Sequence, residues 1–137
     1  MRITQEADYA LRVVLYLTKL GYGNRADASK ISDSEKIPLR FLLKLLRKLI
    51  ASEIIISYRG KNGGYSLKKL PKNISVKDVI ESIDGSISLN RCVFDPEYCS
   101  ANRSKTCELH LVLEKVNNEL KERLGNINFE DIKNGIC

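Results

Sequence analysis

Residues 59–64 read Arg-Gly-Lys-Asn-Gly-Gly, and the runs on either side, Ile54–Tyr58 and Tyr65–Leu67, are dominated by β-branched, aromatic and aliphatic side chains. A loop so rich in glycine and asparagine tolerates the positive φ angles that a reversal between two short strands demands. The segment therefore predicts a β-hairpin with two cations, Arg59 and Lys61, at its tip. A nucleotide-binding loop is excluded, because the G-x-x-x-x-G-K-[ST] order is missing and the glycines lead into a strand instead of a helix.

Three helices are predicted ahead of the hairpin. Ala7, Ala10, Leu11, Val14, Leu17 and Thr18 recur at helical spacing, so Thr4–Leu20 reads as an amphipathic helix ended by Gly21. Asp27 can cap a short helix running through Ile31 to Glu35, and Lys36-Ile37-Pro38 interrupts it, with Pro38 suited to the first position of the next helix. From Pro38 to Ser52, Leu42, Leu45, Leu46 and Leu49 form an apolar stripe, while Arg40, Phe41, Lys44, Arg47 and Lys48 mostly lie away from it. After the hairpin, Ser75 caps a helix over Val76–Ile83 that Asp84-Gly85 ends. Helix, short helix, turn, basic helix and basic hairpin, in that order, make a winged helix-turn-helix, so the expected fold is mainly α with a small β-hairpin wing.

Charge points the same way. The chain carries a net +6, but the excess is concentrated: between Lys36 and Lys72 stand ten basic residues and a single acid, Glu53. Such a field draws polyanions and releases counterions when it docks on phosphates, which makes double-stranded DNA the first partner to consider. In a winged domain of this kind Arg40, Phe41 and Lys44 would face base edges, with Arg47 on the same outer side, and Arg59 and Lys61 would engage phosphates or the minor groove. No apolar run approaches the roughly 20 residues that span a bilayer, so no membrane partner is expected and the localisation expected is cytoplasmic.

The C-terminal part divides into a loop and a helix. In Thr106–Leu124, Leu109, Val112, Leu113, Val116, Leu120 and Leu124 alternate threes and fours, a stripe suited to a partner helix, and a homodimer is expected. The domain reading is residues 1–85 for the winged domain, 86–106 for a cysteine-bearing loop and 107–137 for a long C-terminal dimerisation helix with its tail. Cys92 and Cys99 lie in the loop, Cys107 at the start of the helix and His110 three residues on, giving C-x6-C-x7-C-x2-H. Cys107 and His110 share a helical face, and four soft or borderline ligands could converge there. Thiolates and imidazole suit zinc or an iron-sulfur cluster, and spacing alone leaves the metal open. No C-x-x-C pair supports a thiol redox enzyme, and no enzymatic activity is expected.

Met1-Arg2-Ile3-Thr4 with Asp8-Tyr9-Ala10-Leu11-Arg12, the Ile37-Pro38-Leu39-Arg40-Phe41-Leu42 entry to the basic helix, the run Arg59 to Leu67 and the loop cysteines together resemble the IscR/NsrR/RirA family of dimeric bacterial regulators. The resemblance covers nearly the whole chain. It implies a transcriptional regulator, expected to act as a repressor, whose operator affinity is set by an iron-sulfur cluster sensing iron-sulfur status, redox state or nitric oxide. RNA polymerase would be met only indirectly, at the promoter. Carried over by position, Cys92, Cys99 and Cys107 would be cluster ligands, and His110 matches the fourth ligand of the branch that holds a 2Fe-2S cluster. Asp8 matches an aspartate that, donated by the partner subunit, completes a 4Fe-4S site in another branch, and it is the alternative fourth ligand. Cys137 is not expected to be a ligand. Leu43 departs from the pattern, standing where the 2Fe-2S branch carries an acid among its base-reading residues. A structural zinc or thiol-redox site in place of the cluster is the alternative reading of the same residues.

Overall fold

Amphipathic stripes, not strand pairing, build most of this molecule, and all but one of the described helices contribute to one apolar centre. The computed structural model describes residues 2–89, 95, 97 and 107–136. Its elements in chain order are α1 (Gln5–Leu20), α2 (Ala28–Glu35), α3 (Leu39–Ala51), β1 (Ile55–Tyr58), β2 (Gly64–Leu67), a short 3-10 turn (Pro71–Asn73), α4 (Val76–Asp84), α5 (Glu108–Gly125) and α6 (Phe129–Asn134). This is the mainly helical architecture with a two-stranded wing that the sequence predicts.

Local signals set the boundaries. The Thr4 hydroxyl accepts the Ala7 N–H at the start of α1, and the Asp27 carboxylate accepts the Lys30 N–H at the start of α2. Ser75 and Asp78 cap α4 reciprocally, each side chain accepting the other's backbone N–H. Pro38 departs from expectation by one position. Its ψ of 132° is extended, so it caps α3 rather than opening it, and its carbonyl accepts the Leu42 N–H at 3.0 Å. The turn between α2 and α3 is made by Lys36, whose φ of 55° is left-handed.

The core joins these pieces with the exception of α5. Ala10, Val13, Val14 and Leu17 of α1 pack with Leu42, Leu45, Leu46 and Leu49 of α3, with Ile54 and Ile55 at the root of the wing, and with Ile74, Val79 and Phe129. Phe129 belongs to a segment that composition marks only as a tail. After α5 the chain turns back, so that Val76 donates to the Ile127 carbonyl (2.9 Å) and Phe129 donates to the Ile74 carbonyl (3.1 Å). The return places α6 against α1 and the 3-10 turn.

The wing is a short antiparallel ladder with Ile55 opposite Leu67 and Tyr58 opposite Gly64. A third backbone stub extends it: Ala26 and Tyr65 exchange both hydrogen bonds, at 3.0 and 2.8 Å. An isolated two-stranded hairpin is marginal in water, and this stub ties the wing to the entry of α2.

Candidate nucleic-acid interface and metal site

The stripe that buries four leucines of α3 turns the other side of the helix outward. Arg40, Lys44 and Arg47 are exposed, and Phe41 leaves 59% of its surface to solvent beside Leu39. These are the four residues of α3 that the sequence assigns to DNA. Phe41 supplies an apolar face suited to a thymine methyl, while Arg40 and Lys44 supply donors suited to guanine O6 and N7. Lys48 differs: its ammonium lies 3.0 Å from the half-buried Glu6 carboxylate, an ion pair from α1 to α3 that takes it off the outward row. Leu43 is half-buried and packs on the core.

Arg59 and Lys61 are exposed at the wing tip, as the hairpin predicts. The tip is shaped by backbone, with the Gly63 N–H donating to the Gly60 carbonyl at 3.0 Å. Between the tip and the first residues of α2 lies a cleft of ≈ 490 Å³ bordered by Asp27, Arg59, Lys61 and Tyr65. One wing contact lies outside any sequence pattern. The Arg25 guanidinium stacks 3.4 Å from the centroid of the Tyr58 ring and donates to the Asn62 carbonyl at 3.0 Å.

The second candidate site lies at the start of α5. Cys92 and Cys99 fall outside the described residues, as does Cys137. Cys107 is the half-exposed N-cap of α5, and His110 is buried on its first turn. Among the described residues the His110 Nδ1 is buried without a hydrogen-bond partner, and its Nε2 stands 3.9 Å from the Glu114 carboxylate. Asp8 sits on the exposed first turn of α1, 3.5 Å from Arg12. Among the described residues no three His, Cys, Asp or Glu side chains gather in a way that could hold a metal ion.

His110, Glu114, Asn117 and Lys121 fall on one face of α5 by helical spacing. Residues 86–89 run beside this face in the opposite direction. Lys121 donates to the Ser86 hydroxyl (2.8 Å), while Asn117, only 2% exposed, donates to the Ile87 carbonyl (3.1 Å) and accepts the Leu89 N–H (2.8 Å). At Leu89 the chain is therefore heading toward the end of α5 that carries His110 and Cys107. The opposite side of α5 is apolar and open, with Leu109, Val112 and Val116 exposed by 72, 59 and 44%.

A family model described as "Rrf2: Iron-dependent Transcriptional regulator" matches residues 3–135. The chain belongs to the Rrf2 family. Rrf2 proteins are transcriptional regulators and not enzymes, and regulators of this type bind DNA as dimers. Among sequence relatives, an inferred HTH-type transcriptional regulator of Aquifex aeolicus is 28% identical over 126 residues, covering 92% of this chain and 87% of that protein. Among solved structures, CymR (YrzC), the global cysteine regulator of B. subtilis, superposes with a TM-score of 0.79 at 24% identity, over 98% of this chain and 97% of that one. T. potens IscR superposes with a TM-score of 0.78 at 21% identity, over 98% and 88%. At these identities the structural likeness establishes the winged-helix Rrf2 fold. Among the described residues no helix is long and apolar enough to cross a membrane.

Proposed function

We propose that this Rrf2 regulator binds operator DNA as a homodimer through α3 and the wing, with an affinity set by an iron-sulfur cluster held by Cys92, Cys99, Cys107 and His110. The observation that carries the cluster reading is the His110 ring. An orphaned buried nitrogen costs stability unless something ligates it, and here the second ring nitrogen already approaches a carboxylate, the usual companion of a metal-bound histidine. Cys107 sits on the same face, at the positive end of the α5 dipole, which favours an anionic centre. Reach supports the loop's contribution too. Asn117 and His110 are seven residues, about 10 Å, apart along the helix. The three residues from Leu89 to Cys92 can extend about 10 Å as well.

A bound cluster would supply a centre sensitive to oxidation, nitric oxide and iron supply, 2Fe-2S with His110 as fourth ligand or 4Fe-4S with Asp8 of a second copy. The chain's own residues supply the link to DNA. Ile87 donates to the Glu81 carboxylate on α4 (3.0 Å), Thr4 at the start of α1 donates to Asp84 at the end of α4 (2.6 Å), and Glu6 pairs with Lys48 on α3. Continuous contact therefore runs from the loop entry to the recognition helix. The open face of Leu109, Val112 and Val116 is the surface on which a second copy would seat, placing two recognition helices in successive major grooves. On this reading the regulator works in the cytoplasm and meets RNA polymerase only indirectly, at the promoter.

Two measurements test it. Protein purified without oxygen is expected to contain iron and acid-labile sulfide, with both lost in Cys107→Ser and the cluster spectrum altered in His110→Ala; zinc without sulfide would overturn the cluster in favour of a structural metal. On the duplex side, Arg59→Ala should weaken operator binding and lower the slope of log K against log salt by about 1. An unchanged slope would remove the wing from the interface.

A further inference from the structure

Arg25 is not on α3 and not in the hairpin, yet it touches both limbs of the wing loop. Its guanidinium lies over the ring of Tyr58, the last residue of β1, and donates to the carbonyl of Asn62 on the returning side. Its neighbour Ala26 is locked to Tyr65 by two backbone hydrogen bonds. The stub that precedes α2 thus fixes the returning strand of the wing through Ala26 and its loop through Arg25. Stacking requires the planar cation of arginine, because a lysine ammonium cannot cover a ring and bond a carbonyl in the same fork geometry.

We propose that Arg25 is a positioning residue for DNA recognition: it clamps the wing loop across its mouth so that Arg59 and Lys61 meet the duplex as one preset unit. The proposal rests on the DNA-binding reading above. It adds a residue that acts through others, with a signature unlike that of a simple phosphate contact. Removing a phosphate contact costs the same in any background. Removing a clamp costs most while the groups it positions are still present.

The experiment uses the full-length protein and a duplex selected by the wild type from random sequence. Arg25→Ala is expected to reduce affinity about tenfold, and Arg25→Lys nearly as much although it keeps the charge. In an Arg59→Ala, Lys61→Ala background the Arg25→Ala loss should shrink to less than about threefold. Tyr58→Leu should reproduce the Arg25→Ala defect, and Tyr58→Phe, which keeps the ring, should bind as the wild type. Hydrogen exchange of the free protein gives a readout independent of DNA: the Gly63 amide should exchange faster in Arg25→Ala, with far-UV circular dichroism and the thermal midpoint unchanged. Full affinity in Arg25→Lys, or an undiminished Arg25→Ala loss without Arg59 and Lys61, would reduce Arg25 to a point charge and overturn the clamp. Unchanged Gly63 exchange would overturn it as well. Failure of the wild type to select any duplex would instead sink the DNA-binding reading, while the exchange measurement would still decide whether the clamp exists.

Discussion

Replacing Gly64 with alanine is expected to disable the wing and to cost about 2–6 kcal/mol of stability. The residue has φ of +139°, a conformation that side chains rarely adopt, and a Cβ there would lie 2.8 Å from the Ala26 carbonyl oxygen. That oxygen accepts the Tyr65 N–H, so the clash falls on the pair of hydrogen bonds tying the hairpin to the entry of α2. Backbone cannot rotate aside as a flexible side chain could. Strain of about 1–3 kcal/mol from the conformation adds to about 0.5–1.5 kcal/mol for each of the two bonds lost. Operator affinity should fall at least tenfold as the Arg59 tip loses its placement. Gly60→Ala is the control: it shares a positive φ, but a Cβ there meets nothing within 4 Å, so the cost should stay near 1 kcal/mol. Equal effects at the two positions would show that close approach to Ala26 is not what Gly64 provides.

The Phe129→Ala variant should lose about 3–5 kcal/mol, the range for emptying a buried phenylalanine site. Phe129 is 1% exposed and packs among core residues drawn from α1, α3 and the segment before α4. The size of the loss matters less than its form. If residues 126–134 belong to the same cooperative unit as the winged domain, urea unfolding followed by far-UV circular dichroism should remain a single transition with a lower midpoint and an unchanged slope. A loss under about 1 kcal/mol, or a separate early transition, would show that the segment peels away on its own. The chain has six tyrosines and no tryptophan, so tyrosine fluorescence offers a second probe to test whether both signals move together.

Elements with strong local signals were legible in the sequence. The leucines of α3 fall on one stripe whatever surrounds them, and the six-residue run from Arg59 to Gly64, the last of which opens β2, could hardly be anything but a reversal. Capping residues Asp27 and Ser75 sit where short-range rules put them, while Thr4, read as the first helical residue, is the cap of α1. What escaped depends on partners far along the chain. Lys48 looks like one more cation on a basic helix until Glu6, 42 residues earlier, is found beside it. Arg25 meets Asn62 across 37 positions and has no pattern of its own. Helix α6 is six residues long, too short for periodicity to register, although Phe129 anchors it. Asn117 is the most instructive case. A polar residue at a helix position reads as surface, whereas here its amide satisfies two backbone groups of residues 87 and 89 and is buried by doing so.

The candidate sites divide along the same line. Outward residues of α3 and the wing cations follow from amphipathicity and turn chemistry, and the structure places Arg40, Phe41, Lys44, Arg47, Arg59 and Lys61 in solvent. Cys107 and His110 share the first turn of α5 as their spacing requires. The direction in which residues 86–89 run along that helix was not readable, because it is fixed by the side chains of Asn117 and Lys121 rather than by any feature of residues 86–89 themselves.

The bridge between Ala26 and Tyr65 has a thermodynamic corollary. A free-standing arm would surrender its wandering when it settled on a duplex, at about 0.5–1.5 kcal/mol for each long side chain stilled and more for the backbone behind it. Here the backbone part of that loss is incurred once, during folding, when the returning strand of the arm is bridged to the rest of the protein. Encounter with a nucleic acid then resembles the meeting of two shaped solids, in which the remaining freedom to be quenched belongs chiefly to the outermost arginine and lysine side chains.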